Sequence, residues 1–298
     1  MSKQQLAAIL QTSAQFPPPG NGSPADMRAW FEEINAQTPI QDGAMIKRVS
    51  SGPVGGDLIH YPDSNDKCLI VHFHGGGFFF GSSRSHRVIA ANLARASGVA
   101  VLAADYRLAP EHTAPAAHDD AFAVYKWALE QGFAPSAICL SGDSAGGNLT
   151  ISTAMRARDE GLPIPGALAV MSPALDFTGQ SESFRSATDA PLLTPQLVEL
   201  FKHAYFGASV STSPYLAPLN GDLSKLPPTL IHVGSWELLR DDSMQLAERL
   251  RQASVVAELK VWDGMCHSWQ LFAPMLDEGM ASIEEVAAFV RGHLAGCL

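Results

Sequence analysis

The chain has 298 residues, of which 46% are hydrophobic and 17% charged, a balance that fits a globular domain with a large core and excludes long disorder. Thirty acidic residues against 20 basic ones leave a formal net charge of −10. A surface of that sign repels phosphate backbones and anionic lipid, so neither nucleic acid nor a membrane surface is an expected partner, and neutral small molecules remain.

The N-terminus, residues 1–20, has neither a basic start leading into a long apolar run nor a small-residue cleavage site. No stretch approaches the roughly 18 consecutive apolar residues of a membrane span. Cys68, Cys139, Cys266 and Cys297 are scattered without a CxxC pair. Cys68 and Cys139 fall in apolar runs, where a thiol behaves as a small hydrophobe. A reducing compartment, and hence the cytoplasm, is the expected location.

In chain order, residues 1–43 hold a helical pattern at 25–36, preceded by a loop at 16–23 rich in Pro and Gly. Residues 45–49 and 57–61 read as a pair of strands able to extend a sheet antiparallel. From Lys67 onward, short apolar runs at 68–74, 99–105, 137–143, 167–173, 229–234 and 257–263 alternate with helical patterns at 85–97, 115–131, 145–159, 241–253 and 282–294. Buried strands alternating with helices predict a parallel sheet covered on both faces. Segment 177–215 breaks the rhythm, with a helical pattern at 193–206 where a strand–helix unit should continue. Insertions after a strand's carboxyl end sit over the mouth of an α/β site. The division is therefore an N-terminal part of a cap at 1–43, a core at 44–176 and 216–298, and a cap insertion at 177–215. Leu193, Phe201 and Tyr205 are expected to line the substrate pocket, with Leu192 and Phe206 nearby on the same lid.

Two glycine-rich motifs carry chemistry. Gly142-Asp143-Ser144-Ala145-Gly146 follows a strand and opens a helix, the context of a nucleophile elbow. The sharp turn lifts the Ser144 hydroxyl clear of the sheet, beside a helix N-terminus that favours negative charge. His74-Gly75-Gly76-Gly77-Phe78 follows another strand. Acyl transfer builds an oxyanion that needs N–H groups aimed at it beforehand, and Gly76 and Gly77 are the expected donors. Ala145, the residue after the nucleophile, is the third. A phosphate loop is excluded because no Gly-Lys-Ser/Thr follows. His267, on a loop after the last strand, sits where a hydrolase keeps its base. His72 and His74 share a strand face, but no third ligand at suitable spacing makes them a metal site.

Taken with Asp105–Glu111 (DYRLAPE), Gly142–Leu149 (GDSAGGNL) and Gly264–Trp269 (GMCHSW), these motifs resemble the hormone-sensitive-lipase-like bacterial esterases in their GDSAG branch, over nearly the whole chain from Lys67. The resemblance implies an α/β-hydrolase fold with a mostly parallel eight-stranded sheet and a helical cap. It also implies a carboxylesterase preferring short acyl chains, and a DYRLAPE stretch that supports the oxyanion loop. Members usually carry Asp where this chain reads Glu237-Leu238-Leu239-Arg240-Asp241, so Glu237 is the expected acid, with Asp241 and Asp242 as rivals that cap a helix or face solvent. The mechanism needs no cofactor or metal. An amidase or formamidase with the same triad, and a ligand-binding protein on a catalytically dead fold, are the other readings. The strand at 257–261 should lie at a sheet edge, with Glu258 and Lys260 alternating with apolar neighbours, and a symmetric homodimer through it is expected.

Overall fold

The computed structural model describes residues 2–20, 22–36, 38–207 and 213–296. Two helices, α1 (Ser2–Ser13) and α2 (Pro24–Ala36), precede an antiparallel pair, β1 (Met45–Ser51) and β2 (Val54–His60). Then come β3 (Asn65–Phe73), α3 (Arg87–Ser97), β4 (Val99–Asp105), α4 (Ala116–Glu130), β5 (Ile138–Asp143), α5 (Ala145–Asp159) and β6 (Ala167–Met171). Helices α6 (Glu182–Ser186) and α7 (Pro195–Phe206) interrupt the alternation before β7 (Thr229–Gly234), α8 (Arg240–Gln252), β8 (Ala257–Trp262) and α9 (Asp277–His293). All eight strands form one sheet in the order β1-β2-β4-β3-β5-β6-β7-β8, parallel from β4 to β8. Strand β8 is at its free edge.

Side chains alternate across the sheet with period two, and each face has its own core. Leu69, Val71 and Phe73 of β3 join Leu140 and Ile231 under α4, α5 and α8. Cys68 and Ile70 of the same strand join Val101, Cys139 and Ala169 under α3 and α9. Each fully buried Leu, Ile or Phe contributes about 1.5–3 kcal/mol, so the doubly covered parallel strands dominate the hydrophobic stabilisation. Because β4 and β5 flank β3 on opposite sides, the chain reverses across β3, and the crevice at the carboxyl ends of β3 and β5 is where an open α/β sheet binds its ligand.

Three departures from the sequence reading stand out. Helix α1 was not expected, and α9 starts at Asp277 rather than at 282. Cys68 is disulfide-bonded rather than a thiol, while Cys139 and Cys266 are free and buried; Cys297 lies outside the described residues. Residues 208–212 of the 177–215 insertion also lie outside them. No described helix is long and apolar enough to cross a membrane.

Candidate active site

Ser144 stands between β5 and α5 at φ 52°, ψ −119°. A non-glycine residue held there stores on the order of 1–3 kcal/mol of strain, which the surrounding packing must hold. It is held by three backbone bonds, Ser144 N–H to Met171 O (2.9 Å) and, to Ser144 O, the N–H groups of Ala174 (3.0 Å) and Asn148 (3.3 Å). The turn also needs glycine at its exit, since a Cβ on Gly146 would stand 1.9 Å from Phe73 O.

The elbow brings Ser144 Oγ to 3.0 Å from His267 Nε2, and His267 Nδ1 lies 2.7 Å from Glu237 Oε2. Glu237 Oε1 accepts from Ser172 Oγ (2.7 Å) and from the Gly234 N–H (2.7 Å). An ionised carboxylate has no proton to give, so Nδ1 carries the imidazole hydrogen and Nε2 presents a lone pair to the serine hydroxyl. All three residues are nearly closed to water, Ser144 at 7% exposure, Glu237 at 1% and His267 at 9%.

Neither rival carboxylate touches His267. Asp241 accepts from the Ser183 N–H (2.8 Å) and pairs with Arg240. Asp242 is buried, where capping a helix or facing solvent was expected, because its Oδ2 receives the N–H groups of Leu175 (2.7 Å) and Asp176 (2.8 Å) beyond β6. Burial, with Asp176 and Glu237 adding negative charge nearby, pushes its carboxyl up to about 8 against the pull of those two N–H groups. The folded state then keeps a proton that the unfolded chain, near 3.8, gives up. The contribution of this group is present in full below the unfolded value and is lost as pH rises through the folded one. Denaturant midpoints should therefore fall between pH 4 and pH 8 in the wild type, and fall less in Asp242→Asn.

The loop after β3 carries the expected oxyanion donors. Gly76 (φ 109°) and Gly77 (φ 62°) lie in the left-handed region, and among the described residues their N–H groups make no hydrogen bond. A Cβ on Gly76 would meet Phe80 O at 2.2 Å. Ala145, at the first position of α5, also presents an N–H that helix geometry leaves unpaired. The stretch 105–111 braces this loop. Tyr106 donates its hydroxyl to His74 O (2.7 Å) and stacks on the His74 ring (centroids 4.1 Å apart), and the Ala109 N–H donates to Phe78 O (2.8 Å). Arg28 of α2 adds bonds to Phe79 O, Ala109 O and Glu111.

Sequence reasoning missed three residues of the site. Asp143 accepts from the Gly75 N–H (3.0 Å) and the Ser268 hydroxyl (3.0 Å), tying the elbow to the oxyanion loop and to the His267 loop. Burial alone would raise its carboxyl, but the imidazoles of His86 and His72 at 3.6 Å outweigh that and hold it well below the usual range. Ser172, at φ 46°, orients Glu237. Ser268 follows His267 at φ 48°. Asp143 was visible as the variable position of GxSxG; the serines had no local signal. His72 Nδ1 lies 3.3 Å from Ser141 Oγ, and the His74 ring packs against Tyr106. His74 donates Nδ1–H to Gly75 O (2.7 Å), and burial lowers it to about 3, so it stays neutral.

Two cavities meet at Ser144. The larger, about 420 Å³, is walled by His267 and Ser268 and roofed by residues of α1 and α2 such as Leu10 and Trp30. The smaller, about 30 Å³, lies between α7 and the residues Phe78 and Ala145. Leu193 and Phe201 border both. Leu192 borders the larger and Phe206 the smaller. Tyr205 borders neither. It is fully buried, stacked on Phe78 (4.3 Å) with its hydroxyl donating to His118 Nδ1 (2.8 Å), because one turn beyond Phe201 the inner face of α7 has passed from the cavity onto α4.

A family model described as alpha/beta hydrolase fold matches residues 70–271. An esterase of Acinetobacter venetianus is 36% identical over 286 residues, 95% of this chain and 93% of its own length. An acetyl-hydrolase of Streptomyces hygroscopicus is 38% identical over 77% of each chain. Among solved structures, an esterase from the bacterial hormone-sensitive lipase family superposes with a TM-score of 0.94 at 36% identity, over 98% of this chain and 99% of that one.

Proposed function

The chain belongs to the α/β-hydrolase fold family, in its hormone-sensitive-lipase-like group, and from that premise we propose that it cleaves short-chain acyl esters through Ser144, His267 and Glu237. As a serine carboxylic ester hydrolase it needs a nucleophile, a base and an oxyanion site in register. The observation that carries the assignment is the unbroken run Ser144 Oγ, His267 Nε2, His267 Nδ1, Glu237 Oε2, with steps of 3.0 Å and 2.7 Å across the imidazole.

His267 Nε2 takes the hydroxyl proton as Ser144 Oγ attacks the ester carbonyl, and Glu237 stabilises the imidazolium that forms. The carbonyl oxygen becomes an oxyanion received by the N–H groups of Gly76, Gly77 and Ala145, which the backbone aligns beforehand. The carbon–oxygen bond then breaks, and the departing alcohol oxygen collects the proton from Nε2. Water repeats the sequence on the acyl-enzyme. Residues 1–43 and 177–215 act as a cap, since side chains from both wall the chamber around Ser144. The small cavity beside Ala145 and the acetyl-hydrolase relative both favour a short acyl group.

The test compares an aryl acetate with its matched acetanilide, in the presence and absence of a fluorophosphonate. Turnover of the ester, abolished when one equivalent of phosphonate is found on Ser144 by mass spectrometry, is the expected result. Stoichiometric labelling of another serine, or equal turnover of the amide, would replace this reading.

A further inference from the structure

The geometry points to a division of the ester between the two cavities: the acyl group enters the slot against α7, and the alcohol occupies the chamber under α1 and α2. The substrate class that follows is an ester of a short acid with a bulky, apolar alcohol. This rests on Ser144 and His267 being nucleophile and base, as read above.

The argument turns on where a proton must go. When the tetrahedral carbon collapses, its bond to the alcohol oxygen breaks, and that oxygen takes the proton from His267 Nε2. The alcohol must therefore leave on the side that His267 walls. His267 lines the larger cavity and not the slot, whereas Ala145 lines the slot and not the larger cavity. With the oxyanion held by Gly76, Gly77 and Ala145 and the alcohol directed toward His267, the acyl substituent is left facing the slot.

The sizes differ by an order of magnitude. At about 420 Å³ the chamber falls within the roughly 300–1,000 Å³ of small-molecule sites. A space of about 30 Å³ accepts on the order of two water-sized groups, and so two or three acyl carbons. Phe206, packed on Phe177 (centroids 4.7 Å apart), and Val198 are among the side chains that line it.

Most of the chamber's polar side chains are already engaged. Trp30 donates its indole N–H to Phe16 O (2.9 Å), and Asn35 donates to Phe31 O (2.9 Å). Asp143 is held by the Gly75 N–H and Ser268, and His86 by Gly75 and Ser85. What remains toward the cavity is mainly the apolar surface of Leu10, Phe16, Trp30, Phe31 and Phe272. No charged side chain stands free there to ask for a charge on the alcohol.

Two ester series separate the sides. In the first, acetates of methanol, benzyl alcohol and 2-naphthylmethanol vary the alcohol, and kcat/KM should rise along the series. In the second, benzyl esters from acetate to octanoate vary the acid, and kcat/KM should fall on the order of 10-fold or more for each methylene beyond the slot. Phe206→Ala should lengthen the longest acid accepted by two or more carbons without reordering the acetates. Val198→Phe, which fills the slot instead of opening it, should shorten that limit. Serine-dependent turnover that grows with acid length and falls with alcohol bulk, or a Phe206→Ala variant that reorders the acetates instead, would overturn the assignment of sides while leaving the serine esterase intact. Ester turnover equal in the wild type and in Ser144→Ala would overturn both.

Discussion

Ser144→Ala should lower kcat on a short-chain ester by on the order of 10⁶-fold, the scale seen when the nucleophile of a serine hydrolase is removed. The fold should survive. The Ser144 hydroxyl caps nothing in α5 and is hydrogen-bonded to His267. Alanine meets the same strain at φ 52° that serine already bears. The N–H groups of Gly76, Gly77 and Ala145, proposed to receive the oxyanion, belong to the backbone and remain in place, so substrate affinity should change little and the loss should appear in kcat. A fluorophosphonate that labels the wild type stoichiometrically should leave the variant unlabelled. A variant retaining more than about 1% of wild-type kcat, far above the residual 10³–10⁴-fold that binding and an oxyanion hole supply over water, would show that another group attacks the ester.

What could be read in advance depended on how far each feature acts along the chain. The alternation from β3 to β8 was legible because doubly covered parallel strands need continuous apolar runs. The turns at Ser144 and at Gly75–Gly77 were legible because their glycines answer to backbone close to them in sequence or in the adjacent strand. Helix α1 was not. Its sequence, SKQQLAAILQTS, has no acidic residue in the first turn and no basic one in the last, and Leu6 is buried only by meeting Trp262, Met265 and Trp269 from the far end of the chain. Tyr205 was misplaced for a related reason. It shares a helix face with Phe201, but periodicity identifies a buried face without saying whether a cavity or α4 lies opposite. Asp143 and Ser172 act through bonds to residues 125 and 65 positions away, and no local spacing announces such partners. The disulfide state of Cys68 was equally invisible in a chain without paired cysteine motifs.

Glu237→Gln should lower kcat by on the order of 10⁴-fold, the cost of misplacing the histidine proton in the worked serine-protease case. The surroundings of the carboxyl explain why an isosteric change does so much. At Oε1, Ser172 Oγ–H and the Gly234 N–H both donate, so the oxygen of the new amide is drawn to that position. Its NH₂ group is then left facing His267 Nδ1 and can only donate. That forces the imidazole hydrogen onto Nε2, where it confronts the Ser144 hydroxyl and leaves no lone pair to accept the proton. Glu237→Asp keeps the charge and the acceptor but falls short by one methylene. A displacement of that size, roughly 1 Å, costs about 10²-fold, so this variant should lie between wild type and Glu237→Gln. Asp241→Asn and Asp242→Asn should leave turnover within about 10-fold and act on stability instead, since their oxygens hold the backbone at Ser183 and at Leu175–Asp176 rather than the imidazole. Measuring kcat and thermal midpoint for all four variants separates the two roles. A collapse of kcat in Asp241→Asn beside a near-normal Glu237→Gln would move the acid to the start of α8. The 2.7 Å contact between Glu237 Oε2 and His267 Nδ1 would then be a packing contact, not the one that holds the tautomer.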